Sequence, residues 1–238
     1  MSHHKISDYN SCPLKYKYIH IYKMPLNNNS AMVYGNVMHK IIYEYYLKKK
    51  SKTPISQENL LKILEKNWRN EGFLSREHEE AKLKQAKISL ENFYKNEEKI
   101  NYAPQYFEHT FNFMLEKTKI TGRIDKVEIF ENEIKITDFK TSIIEDQEKA
   151  NKKTEESLQL FIYALAWKNI YGKIPNIISL HYLESDIIGI SKITEKKLIK
   201  TEEKIKECID GINSQNFSAI KNSFFCNTCA FNGFCSKN

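Results

Sequence analysis

The sequence has no apolar run approaching the roughly 20 residues that a membrane-spanning helix needs. Behind its polar start, MSHHKISDYN, there is no hydrophobic segment of a secretory signal. These two absences set the expectation of a soluble, cytoplasmic protein with no membrane partner. A G-x-x-x-x-G-K-[S/T] phosphate loop is also missing, which leaves no evident helicase motor in this chain. There is no internal repeat and no low-complexity linker, so residues 1–238 are expected to form one domain. The five cysteines are odd in number, which argues against a disulfide framework and for metal binding or reactivity.

What is present suits a folded chain. Hydrophobic residues make up 41% and aromatic residues 12%, enough to bury a sizeable core. The formal charge is +7 and the pI about 8.9. That excess allows a polyanionic partner without demonstrating one, because lysine is abundant alongside asparagine and isoleucine throughout. His3 and His4 receive no role.

Ser7 can cap a short helix carrying Tyr9, Cys12 and Leu14. From Ala31 to Lys48, the spacing of Val33, Val37, Ile41, Tyr45 and Leu47 predicts a helix. Residues 56–70 and 75–100 read as two more, within a helical insertion over about 50–103. Strands are expected over 105–117, 119–130 and 133–141, with Glu131-Asn132-Glu133 as a hairpin turn. Residues 143–155 read as a polar loop. An apolar helix runs from about Glu156 to Tyr171 and stops at Gly172, followed by strands over 176–184 and 187–193 and a helix over 194–212. That order predicts a mixed α/β fold, a central mixed sheet flanked by helices.

The hairpin carries the first chemistry. Asp125 lies on one strand and Asp138 on the next, and Lys140, two positions on, shares a face with Asp138. Carboxylates are the hard oxygen ligands that magnesium takes, and a neighbouring ammonium can orient a water or meet charge on a phosphate. Read alone, the three residues more readily describe a solvated hairpin face with a cross-strand ion pair. Their neighbours Ile124, Val127, Ile134, Ile136 and Phe139 are apolar, however, and an unpaired carboxylate near a core is costly.

Four ordered motifs now stand together: Gly35-x-x-x-His39, Gly122-x-x-Asp125, Asp138-x-Lys140 and Gln159-x-x-x-Tyr163. The set resembles the PD-(D/E)XK nuclease superfamily and, more narrowly, its RecB-like exonuclease branch. The resemblance implies a restriction-endonuclease-like core. It implies that His39, Asp125, Asp138 and the Phe139 carbonyl hold Mg2+ or Mn2+, and that Lys140 serves the attacking water. Gln159 and Tyr163, four apart on one helix face, would orient the site or a DNA phosphate. Glu108 matches an acidic position before the Gly-x-x-Asp strand, its role open, while Glu128, Glu131 and Glu133 are expected to be bystanders.

The remaining signal is sulfur. Cys226-x-x-Cys229 is followed by Cys235, and Cys12 stands near the start. Four thiolates can hold an iron–sulfur cluster or a structural zinc, and spacing alone does not choose. Either would staple residues 12 and 226–235 together. Cys12 in a C-P-x-x-Y-x-Y context and the tail from Phe224 to Cys235 are similar to AddB-type and CRISPR-associated RecB-like nucleases, which implies a 4Fe-4S cluster. Cys208 is surplus and reads as a packing residue. Lys15, Tyr16, Lys17, Tyr18, Tyr22 and Lys23 suit strand binding or an ordinary exposed segment equally.

The resulting expectation is a metal-dependent deoxyribonuclease acting on DNA ends or single strands, alone or with a helicase or CRISPR adaptation partner. The alternatives are an inactive DNA-binding or scaffold module of the same fold, and a zinc-stapled protein of unrelated chemistry.

Overall fold

The computed structural model describes the whole chain except residues 27, 28, 54, 132, 221–225, 228, 234 and 236–238. Asn132 of the expected hairpin turn and Phe224 of the cysteine tail therefore lie outside the described residues. Five strands form one sheet in sequence order: β1 (Tyr106–Leu115), β2 (Thr118–Phe130), β3 (Glu133–Lys140), β4 (Ile177–Tyr182) and β5 (Ile187–Lys192). Neighbours are antiparallel except β3 and β4, which run parallel. A parallel step needs a long crossover, and here it carries α6 (Gln147–Glu155) and α7 (Leu158–Tyr171). Five of the eight residues of β3 are buried between two helical layers, the pattern of a strand covered on both faces.

One layer consists of α7, α8 (Glu195–Asn213) and α1 (His3–Ser11), packed over Ile120, Ile124, Val127, Ile136 and Leu180. Ser157 caps α7, and Gly172 closes it with φ 71, a left-handed geometry that glycine adopts without penalty. The opposite layer is α3 (Ser30–Lys50), α4 (Gln57–Asn67) and α5 (Arg76–Glu97), with Phe139 and Leu183 entering their core. Asn29, Ser56 and Ser75 cap these three helices through their side chains. The alternation of β3 thus sends Asp138 toward α7 and Phe139 toward α3 and α5. A buried lysine ties α5 to the sheet: Lys126 on β2 pairs with Glu97 of α5 at 3.0 Å and with Glu128 at 3.2 Å. Glu128 is thus a buried structural partner, set apart from the metal chemistry.

Two local expectations are corrected. Residues 147–155 form a helix where a polar loop was expected. Asp146 caps it by accepting from Lys149 N, and Ala150 and Thr154, one turn apart, bury against Gly189 of β5. Only two apolar-facing positions among charges left no periodicity to read. Ser7 lies inside α1, and the cap is Ser2, which accepts from Lys5 N. Cys12 ends α1, after which α2 (Pro13–Tyr16) and a π-helical turn (Lys17–Ile21) follow. No helix of the described residues is long and apolar enough to cross a membrane.

Candidate active site

The sheet positions the hairpin carboxylates, and the two helical layers bring the rest to them. Asp125 Oδ2 accepts from Phe139 N at 2.9 Å, so the β2 carboxylate is locked onto the β3 backbone. His39, from the middle of α3, lies with Nδ1 3.4 Å from that same oxygen and Nε2 3.1 Å from the Phe139 carbonyl oxygen. Adjacent ligands of an octahedral magnesium, at metal–oxygen distances near 2.1 Å, lie about 3 Å apart. His39 approaches Asp125 through one ring nitrogen and the Phe139 carbonyl through the other, and a single cation would take one of the two.

Glu108 completes the group. Its carboxylate, His39 and Asp125 bring their ligand atoms within 4.8 Å of one another. Its backbone has φ 50, in the left-handed region, between the paired positions Phe107–Lys126 and His109–Ile124. A non-glycine residue held there costs on the order of 1–3 kcal/mol and marks functional sites more often than chance. The sequence left the role of Glu108 open, and the structure gathers it with the ligand candidates, where Arg123 forms an ion pair with it.

Asp138 faces the other way. Its Oδ1 accepts from Gln159 Nε2 at 2.7 Å, and its Oδ2 lies 2.7 Å from Lys140 Nζ. Lys140 Nζ in turn donates to Gln159 Oε1 at 2.8 Å, and Gln159 Nε2 lies 2.6 Å from the Tyr163 hydroxyl. Gln159 and Tyr163 do share one face of α7, and with Asp138 and Lys140 they form a closed polar network. Both carboxylates are buried, Asp138 almost completely.

The electrostatics follow from that crowding. Burial, and then the charge of Asp125, push the Asp138 carboxyl up to about 6. Burial would raise Asp125 too, but the His39 contact, the Phe139 N–H and Lys140 outweigh it and hold the carboxyl below its usual range. Burial opposes protonation of His39, yet Asp125, Asp138 and Glu108 prevail and raise its pKa. Burial also raises Glu108, against Arg123. Three carboxylates gathered around one histidine in a buried site are an environment in which a divalent cation is favoured. The residues fit one.

All of these side chains open on a cleft of about 1410 Å³. His3 and His4, left without a role by the sequence, line it beside Lys140. The His3 ring meets Tyr163 edge-on at 5.7 Å, and burial lowers its pKa to about 4. Nothing in the pattern of an N-terminal His-His pair announces that position. Part of the basic-aromatic segment packs against the fold. Tyr16 stacks on Phe217, Tyr18 meets Phe231 with ring centroids 5.0 Å apart, and Lys15 pairs with Asp8. None of its six residues lines the cleft.

The Tyr18–Phe231 contact also brings the turn after Cys12 onto the segment holding Cys229 and Cys235. Cys12, Cys208, Cys226 and Cys229 are free thiols. Cys208 is buried on α8, and burial pushes its thiol up to about 11, as suits a packing residue. Among the described residues, the group whose ligand atoms lie within 4.8 Å is the His39–Glu108–Asp125 set, and the four candidate cluster thiols do not form another.

The model of the PD-(D/E)XK nuclease superfamily matches residues 1–236. A crystal structure of a "putative exonuclease" from Eubacterium rectale is similar with a TM-score of 0.60 at 15% identity, covering 98% of this chain and 86% of its own. At that identity the likeness shows a shared fold. Protein VC1899 from Vibrio cholerae matches at 12% identity over 79% of this chain and 53% of its own, with a TM-score of 0.26, and carries no argument. No curated protein matches the sequence.

Proposed function

The chain belongs to the PD-(D/E)XK nuclease superfamily, and from that premise we propose a divalent-metal-dependent DNA nuclease that hydrolyses phosphodiester bonds at DNA ends or in single strands. The observation that carries this reading is the convergence of His39, Asp125 and the Phe139 carbonyl on one side with Asp138, Lys140 and Gln159 on the other. A nonfunctional relic of the fold has no need to keep both halves.

His39, Asp125 and the Phe139 carbonyl would hold Mg2+ or Mn2+, with Glu108 or Asp138 as a further carboxylate. When bound there, a divalent cation would supply Lewis acidity toward water and phosphate oxygens. The protein contributes the rest. Lys140 presents its ammonium to the attacking water and the phosphate oxygens. Gln159 holds that ammonium and Asp138 in register, and Tyr163 fixes the Gln159 amide. In-line attack of water would leave 5′-phosphate and 3′-hydroxyl ends, as the RecB-like resemblance implies.

For the thiols we propose a 4Fe-4S cluster on Cys12, Cys226, Cys229 and Cys235, with zinc as the alternative. The support is the Tyr18–Phe231 contact, which draws both ends of the chain together. The cluster would be a staple, in a cytoplasmic protein acting in repair or in CRISPR adaptation, alone or beside a separate helicase. An absorption spectrum after anaerobic purification separates the two metals.

The test of the main reading is cleavage of labelled single-stranded DNA in Mg2+ or Mn2+ against a chelator. Wild type should cleave only with metal, and Asp138→Ala or Lys140→Ala should not cleave at all. Full activity in Asp138→Ala would sink the assignment.

A further inference from the structure

The cleft does not stop at the metal-binding group. It follows one stripe of α3 made of Met32, Asn36, His39, Tyr43, Leu47 and Lys50. Spacings of three and four residues keep these side chains on one helix face. At 1.5 Å per residue the stripe is roughly 27 Å long, and His39 sits part-way along it. Three of its members are large apolar side chains left in water: Met32, Tyr43 and Leu47 are 55%, 37% and 43% exposed. The opposite face of the same helix is filled by Val37, Met38, Ile41, Ile42 and Tyr45. The core contacts of α3 are thus made by the opposite face.

Cations flank it. Lys50 Nζ lies 5.5 Å over the ring of Phe107, and Phe107 meets Tyr43 with ring centroids 5.6 Å apart. Toward the other end, a second groove shares Met32, Asn36 and Lys40 with the cleft and adds Arg69. Arg123 and Lys140 stand on the far wall. Exposed apolar faces interleaved with cations match a single DNA strand, whose bases offer flat faces and whose phosphates follow a positive groove. Duplex DNA keeps its bases stacked inside and would use only the cations.

We propose that this face of α3 is a stacking ledge for an unpaired DNA strand. Tyr43 and Leu47 contact bases on one side of the catalytic group and Met32 on the other, with Lys40, Lys50 and Arg69 on the phosphates. The ledge gives the site its preference for single strands over duplex. This rests on the nuclease reading, and it is tested by binding rather than by cleavage.

The test uses the full chain carrying Asp138→Ala, with fluorescence anisotropy in Mg2+. The probes are a labelled oligothymidylate of about 20 nucleotides and a blunt duplex. Adding Tyr43→Ala, or Leu47→Ala, should weaken oligothymidylate binding roughly tenfold and duplex binding less than about twofold. Tyr43→Phe, which keeps the ring, should bind like the parent. Unchanged oligothymidylate binding in both alanine variants would overturn the proposal, as would an equal loss for duplex. If wild type fails to cleave any DNA the nuclease reading falls separately, whereas cleavage with an unresponsive Tyr43→Ala removes the ledge alone.

Discussion

Gly122 on β2 lies so close to Phe111 on β1 that a methyl group there would sit 2.4 Å from the tip of its ring. The Phe111 ring in turn meets Tyr163 edge-on at 5.8 Å, and Tyr163 contacts Gln159. The glycine of the Gly-x-x-Asp motif thus makes room for a ring that supports the polar network behind Asp138. Gly122→Ala should destabilise the fold by about 1–3 kcal/mol, the usual cost of overpacking. Urea unfolding measures it. Combining Gly122→Ala with Phe111→Leu should recover part of the loss, because the clash is with the ring alone.

The raised Asp138 carboxyl has a consequence for stability. Its ordinary value is 3.8 and its value in the fold about 6. The folded state therefore binds this proton more tightly than the unfolded chain. The stability so gained is complete below the ordinary value and is lost as pH rises through about 6. At about 1.4 kcal/mol per pKa unit the loss is at most about 3 kcal/mol. Without metal, Asp138→Asn should melt higher than wild type at pH 7.5 and alike at pH 4. Added Mg2+ should narrow the gap at pH 7.5. A variant less stable than wild type at pH 7.5 without metal would contradict the sign.

On the proposed reading two ligand sets are open to the cation, one with Glu108 and one with Asp138. Calorimetric titration with Mn2+ separates them. If Glu108 ligates, Glu108→Gln should cost roughly tenfold or more in affinity. Because His39 must be neutral to bind metal and its pKa is raised, affinity should fall as pH drops toward and below that raised value. An affinity independent of pH in that range would remove His39 from the set.

The hairpin and its lysine were legible because period-two alternation and an ordered motif set reinforce each other. Asp125, Asp138 and Lys140 sit on β2 and β3 where alternation places them. Glu108 was only half legible, since its contribution depends on a left-handed φ that composition does not announce. The α6 helix was missed because its stability comes from tertiary contact, with Gly189 leaving space for the Ala150 carbonyl and the Thr154 hydroxyl. His3 and His4 were missed for a similar reason. Their place in the cleft is set by Met1 and Ser2, which pair with Thr121 of β2 beyond the end of β3.

If Cys12, Cys226, Cys229 and Cys235 share a metal cluster, removing one ligand should reduce metal content and stability together. Cys226→Ser is expected to do both, and Cys208→Ser neither in metal content. Iron, sulfide and zinc analysis alongside thermal melting reads the result. A Cys226→Ser protein with wild-type metal content and melting temperature would remove the staple.

Gln159 bridges two charged residues of β3, donating to Asp138 and accepting from Lys140. Gln159→Ala should lower kcat by about 10- to 100-fold, through loss of orientation. Gln159→Glu is the sharper probe. It replaces the donor facing Asp138 with a second carboxylate, and two buried carboxylates in contact cannot both stay ionised. One proton should then be shared between residues 138 and 159, so the acid limb of the pH–rate profile should move upward. A residue that merely filled space would lower the rate at every pH without moving that limb. An unshifted limb in Gln159→Glu, with the fold intact, would therefore reduce Gln159 to packing and leave Lys140 held by Asp138 alone.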